Sequence, residues 1–180
     1  MGGDTDVVFV DSSVLISCGR RESARFRALA REASQRDTVL RIPPAVYAEV
    51  TNDPAVDAYT TESPVDAALQ EGWMTVTDSP SYADSDVSAV MDQTRSFIAS
   101  ATNRSEDLVE TADAQIVGLA LEFLLGDTAD SVTVVANDIP LGDAVASLVP
   151  EYGFDTQQVT WCTGGEFAGE LSEDFVSEFE

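Results

Sequence analysis

Apolar residues follow two rhythms along this chain. Short unbroken runs at residues 7–10 (Val-Val-Phe-Val) and 132–136 (Val-Thr-Val-Val-Ala) have the length and β-branched content of strands buried on both faces. Elsewhere apolar positions recur every three or four residues. Phe26, Leu29, Ala30 and Ala33 make one helical stripe within 22–35, and Val87, Val90, Met91, Phe97, Ile98 and Ala101 make another within 83–101. Residues 39–42, 73–77 and 159–162 read as further strands. Pro43-Pro44 suits the first turn of a helix after the second strand, and Pro54 and Pro64 open two short helical pieces, the second ending at Gly72. Ser105 or Thr111 caps a helix through Ile116, Val117, Ala120, Phe123 and Leu124 to Gly126, and 141–149 is a short helix. Residues 166–180 alternate acids with Phe167, Leu171, Phe175, Val176 and Phe179, as a final helix or a fraying end.

Strands alternating with helices predict an α/β fold of three layers, α/β/α, around a central parallel sheet of about five strands. Right-handed crossovers allow a doubly wound order in which the first and fourth strands lie side by side, where the strand order reverses. No repeat or low-complexity tract divides the 180 residues. The expectation is one domain over 1–180, with a helical insertion at about 54–105 and an acidic tail at about 165–180.

Composition narrows the chemistry. There is no histidine and there are two cysteines, Cys18 and Cys162, which excludes a Cys/His zinc site, a Ser-His-Asp triad and an imidazole base. The opening residues lack the basic start and apolar run of a signal peptide, and no stretch approaches the ~18 apolar residues of a membrane span. The expectation is a soluble, cytoplasmic protein with no membrane partner and both thiols reduced. Thirty-three acids oppose nine basic residues for a net charge of −24, and all nine are Arg. The acids are spread along a chain of ordinary apolar content, which points to adaptation to molar salt, where the Debye length is roughly 3 Å. Residues 1–41 hold seven Arg against six acids, a net +1, whereas 42–180 hold two Arg against 27 acids, a net −25. On a helical wheel Arg20, Arg27 and Arg31 fall on one flank, as a candidate phosphate-binding set.

Four acids sit in or against apolar runs: Asp11 after the first strand, Glu49 in the helix after the second, Asp113 in the helix reaching Gly126, and Asp138 after the fourth. An unpaired carboxylate is costly in such surroundings. Two of them ~4 Å apart repel by roughly 4 kcal/mol at an effective dielectric of about 20. Taken singly, Asp113 reads as a helix N-terminal acid, Asp138 as a turn residue and Glu49 as an exposed helix position. Taken together, the topology brings all four to the carboxyl ends of neighbouring strands, where open sheets bind ligands. Such a cluster is expected to be held by shared divalent cations, and oxygen ligands suit a hard cation such as Mg²⁺.

The pieces Phe9-Val10-Asp11-Ser12-Ser13-Val14-Leu15-Ile16, Ile42-Pro43-Pro44-Ala45-Val46-Tyr47-Ala48-Glu49-Val50, Ala112-Asp113-Ala114-Gln115-Ile116 and Val134-Val135-Ala136-Asn137-Asp138 together resemble the PIN-domain nucleases, in that family's order. The resemblance implies a PIN-like fold and a Mg²⁺- or Mn²⁺-dependent endoribonuclease whose catalytic and metal-binding set is Asp11, Glu49, Asp113 and Asp138. It further implies single-stranded RNA as substrate and, for toxin-type members, a small antitoxin and a homodimer. The chain departs from the pattern at Ala136, where a hydroxyl residue is usual, and at Pro140, where a further acid is usual. Asp143 is a candidate substitute for that acid, and Ser12, Ser13 and Asn137 are candidate auxiliaries.

Metal-bound water would serve as nucleophile, so no histidine is required. The rival reading is a PIN-like regulatory module that binds RNA or protein without cleaving. A phosphoacceptor receiver would need a Lys, the Asp-x-Asp phosphatases need an acid where Ser13 stands, and a dinucleotide fold needs a glycine-rich loop after the first strand.

Overall fold

The computed structural model describes residues 6–18, 24–51, 64–106 and 109–168. Its sheet has five strands, β1 (Asp6–Val10), β2 (Leu40–Ile42), β3 (Met74–Val76), β4 (Ser131–Val135) and β5 (Val159–Cys162). All pairs are parallel and the order is β3-β2-β1-β4-β5, with helices on both faces, the expected three-layer α/β/α architecture. The register sets Val10 beside Val135, and the Asp11 amide extends that ladder by donating to the Val135 carbonyl at 2.9 Å. The two apolar runs that announce themselves in the sequence are thus the central pair. Val8, Phe9, Val10, Val132, Val134 and Val135 have no solvent exposure, because a parallel strand covered on both faces has no polar side.

Eight α-helices are found among the described residues: α1 (Ser12–Cys18), α2 (Ala24–Gln35), α3 (Pro44–Thr51), α4 (Pro64–Glu71), α5 (Ser85–Thr102), α6 (Thr111–Leu125), α7 (Ile139–Leu148) and α8 (Gly164–Phe167). A 3₁₀ turn, Val149–Tyr152, follows α7. No helix among the described residues is long and apolar enough to cross a membrane. The helical piece expected at Pro54 and the tail beyond residue 168 lie outside the described residues.

Two local outcomes differ from the sequence reading. Helix α1 starts immediately after Asp11, in a stretch whose periodicity is too short to register. Helix α6 is flanked by Glu110, not capped by Ser105 or Thr111, and the Glu110 side chain makes no capping bond. That carboxylate is therefore free to turn elsewhere. By contrast α5 is capped conventionally, with Asp84 accepting from the amides of Asp86 and Val87.

Helix α6 is the hub. Its residues from Ala112 to Leu121 are all buried, the pattern of a helix enclosed on every side, and it packs on α3, α5 and β4. A Cβ at Gly118 would come within 2.8 Å of the Met91 side chain, so a side chain there would push α5 away. A second close approach fixes α7: a Cβ at Gly142 would collide with the Trp161 ring. The indole Nε1 of Trp161 in turn donates to the Ala136 carbonyl at 2.9 Å, gripping the turn that carries Asp138.

Candidate active site

At the carboxyl ends of β1 and β4 the sheet opens into a cavity of about 550 Å³. Its wall includes Asp11, Glu49, Asp113 and Asp138, so the fold brings the four acids from separate segments to one pocket. A fifth carboxylate, Glu110, lines the same cavity, together with Ser12, Ser13, Ile16, Ile98, Arg104 and Val109.

Asp11 leaves β1 as the backbone turns into α1 and is only 2% exposed. Its Oδ2 accepts from the Ser13 hydroxyl at 2.7 Å and the Ser13 amide at 3.2 Å. Its Oδ1 is buried with no hydrogen-bond partner. Burial pushes the carboxyl pKa above its ordinary value; the Ser13 bonds oppose this and the Asp138 charge adds to it. Ser13 also accepts from the Asn137 amide at 3.1 Å, so one hydroxyl ties the turn after β1 to the turn after β4.

Glu49 stands one helical turn beyond Ala45 on α3. The Ala45 amide donates to Gln115 Oε1 at 3.1 Å, which pins the start of α3 to α6, and Glu49 and Asp113 line the same cavity. Glu49 is half-buried, and its pKa is pushed up to about 7, first by burial and next by a hydrogen bond shared with Glu110. Two carboxyl groups share such a bond only when one is protonated. Ser12 also bonds to Glu49, favouring its charged form. Asp113, in the first turn of α6, is 7% exposed, and its pKa is pushed up to about 8 by burial and then by the charges of Asp11, Asp138, Glu110 and Glu49. Asp138 precedes α7 and caps it, accepting from the Leu141 amide at 3.3 Å. Pro140 fits the first turn of that helix, where a missing N–H costs nothing.

The remaining expected residues are placed less centrally. Asn137 does not line the cavity; its Oδ1 accepts from the Gly164 amide at 2.9 Å and its Nδ2 reaches Ser17 Oγ at 3.5 Å, so it ties the turn to α8 and α1. Asp143 is exposed on α7 and is not among the residues lining the cavity. Arg20 lies outside the described residues, and Arg27 and Arg31 are exposed on α2, away from the cavity wall. Three other members of the arginine cluster have local tasks: Arg25 is buried and donates to the Ser17 carbonyl at 2.6 Å, Arg36 pairs with Glu32 at 2.8 Å, and Arg41 stacks over Phe123.

Two charged residues of the wall were not anticipated. Glu110 lies three positions before Asp113, a spacing that shares one helix face, and that spacing was the available signal. Arg104 had none, being one of two arginines outside the cluster.

Among the described residues, no group of three or more Asp, Glu, Cys or His is placed so that it could hold a metal ion. Some of the carboxylate oxygens are engaged locally: Asp11 directs one oxygen to Ser13, Asp138 directs one to Leu141, and Glu49 is engaged with Glu110 and Ser12. Even so, the donor set suits a hard cation. It consists of carboxylates whose mutual repulsion and burial raise their pKa values, beside a buried Asp11 oxygen lacking any partner.

No curated protein matches this chain. A family model, described as halobacterial PIN domain, matches residues 4–176. PIN domains are generally nucleases that use divalent metal ions and act on RNA-type substrates. With that match over nearly its whole length, and with a parallel β3-β2-β1-β4-β5 sheet, the chain belongs to the halobacterial PIN domain family.

Proposed function

We propose that this protein is a Mg²⁺- or Mn²⁺-dependent endoribonuclease that hydrolyses phosphodiester bonds of single-stranded RNA at the pocket between β1 and β4. The observation that supports it most is the unpartnered, buried Oδ1 of Asp11 in a cavity walled by four further carboxylates. Asp11, Glu49, Asp113 and Asp138 are the residues that would hold the ion, and Glu110 stands beside them. When bound, a divalent ion supplies an activated water and stabilises the leaving oxygen. The chain's own groups do the rest. Ser13 fixes the Asp11 carboxylate by holding Oδ2, and so presents Oδ1. Burial and mutual repulsion favour protons on Asp113 and Glu49, with which a divalent ion would compete, so ion affinity should rise with pH. Ile16, Ile98 and Val109 form an apolar section of the wall that limits water beside the carboxylates. In its toxin-type form the reading extends to a small protein antitoxin and a homodimer.

One observation favours the rival reading, a regulatory module that binds RNA or protein: although they line one cavity, no three of the carboxylates are placed to hold an ion together among the described residues. Incubation of single-stranded RNA in molar KCl with Mn²⁺, Mg²⁺ or chelator, beside a Glu49→Gln variant, separates the two. The nuclease reading expects ion-dependent cleavage that the variant loses by about a hundredfold or more. Binding of RNA with no cleavage under any ion would establish the regulatory module instead.

A further inference from the structure

We propose that Arg104 is the substrate-phosphate contact of this pocket, the side chain that grips the RNA strand beside the scissile bond; this rests on the nuclease reading above. Five carboxylates wall the cavity, and among the described residues that line it Arg104 is the one cation. Every other charged side chain of that wall has the same sign as an entering polyanion.

The backbone puts Arg104 at the rim by design of the helix end. Helix α5 stops at Asn103, which takes the left-handed conformation (φ 55°), and the Arg104 amide then donates to the Ala99 carbonyl at 2.9 Å. Its Nε donates to Thr102 Oγ1 at 3.2 Å, and Thr102 itself donates to the Ile98 carbonyl at 2.7 Å. Two residues on, Glu106 accepts from Ser96 Oγ at 2.7 Å and ties the segment back to α5. The stem is thereby fixed while the two terminal guanidinium nitrogens keep their donors.

Those donors are uncommitted. Among the described residues Arg104 forms no ion pair, although the cavity holds five acids, whereas Arg36 pairs with Glu32 and Arg95 with Asp92. A guanidinium presents a planar fork that fits two phosphate oxygens. Such short hydrogen bonds persist in molar salt, where attraction over longer distances is screened to roughly 3 Å. Arg104 is exposed, so replacing it removes the fork and leaves the core intact.

The test compares wild type, Arg104→Ala and Arg104→Lys in molar KCl. Cleavage of a short single-stranded RNA with Mn²⁺ gives kcat and KM, anisotropy of a labelled 2′-O-methyl oligonucleotide gives binding without turnover, and the Mn²⁺ dependence of Tm gives ion affinity. Arg104→Ala should weaken oligonucleotide binding and raise KM about tenfold with kcat nearly unchanged, and Arg104→Lys should recover part of both. The Mn²⁺ dependence of Tm should be unchanged or stronger. Unaltered binding and KM would overturn the assignment, as would weakened ion affinity, which would mark Arg104 as a counter-charge to the carboxylates. If wild type binds the oligonucleotide but cleaves nothing, the nuclease reading falls while the role of Arg104 in binding is still read directly. If it does neither, both fall.

Discussion

At the amino end of β1, Asp6 is exposed and accepts hydrogen bonds from Ser131 Oγ at 2.9 Å and Thr133 Oγ1 at 3.3 Å across to β4. At the carboxyl end, five residues on, Asp11 is buried and one of its oxygens has no partner. The same side chain, on the same pair of strands, is paired and wet at one end and desolvated at the other. The first arrangement is what stability alone favours, since a buried unsatisfied acceptor costs about 1–3 kcal/mol. The second is the arrangement expected of a carboxylate that a bound ion would complete, as the proposed function requires. The difference is what singles out the carboxyl end of the sheet as the proposed working end.

The most drastic way to break this contrast is to neutralise each acid in turn. Asp11→Asn should abolish ion-dependent cleavage by about a hundredfold or more, while Asp6→Asn should leave kcat and KM within about twofold. Equal losses in both variants, measured on the same RNA, would erase the distinction.

A second effect sharpens it through pH. Asp113, with a pKa of about 8 in the fold against an ordinary 3.8, binds one more proton folded than unfolded between those values. Its contribution to stability is therefore complete below pH 3.8 and is lost as pH rises through about 8, at about 1.4 kcal/mol per pH unit. Thermal melts in molar KCl with chelator should show Tm falling from pH 6 to pH 8.5. Saturating Mn²⁺ should flatten that slope, because the ion replaces the proton. Asp113→Asn should flatten it without any ion; an undiminished slope in that variant would remove Asp113 from the account.

The smallest expected effect is purely mechanical. Gly142→Ala drives a methyl group into the Trp161 ring, whose Nε1 holds the Ala136 carbonyl ahead of Asp138. Overpacking of this kind costs about 1–3 kcal/mol in denaturant titration. Because it bears on the pocket end, it should also raise the Mn²⁺ concentration needed for cleavage. Destabilisation with unchanged ion dependence would show that the Trp161 clamp supports the sheet but not the site.

Much of this was legible in the chain. The run 7–10 is apolar on both alternations and 132–136 is broken only by Thr133, the pattern of strands covered on both faces, so the central pair and hence the neighbouring positions of Asp11 and Asp138 followed from pattern and crossover handedness. Glu49 and Asp113 followed from helices that begin near that rim. The arginine cluster was less legible: its members looked alike in sequence, yet Arg25, Arg36 and Arg41 serve the backbone carbonyl of Ser17, Glu32 and the Phe123 ring. Composition counts charges and cannot say which are already engaged.

By itself, then, the sequence determined the element periods, the parallel sheet, the acidic character suited to salt and the order of four acids along the chain, because these depend on spacing and local propensity. Only the tertiary structure decided that Glu110 turns from its helix end toward Glu49, that Ser13 bridges two strand ends, that Gln115 latches α3, and that Arg104 stands at the rim. Those outcomes depend on how far α3, α5 and α6 lie from one another once Gly118 lets α5 and α6 approach. Distances between segments many residues apart are set by packing, which no local pattern encodes.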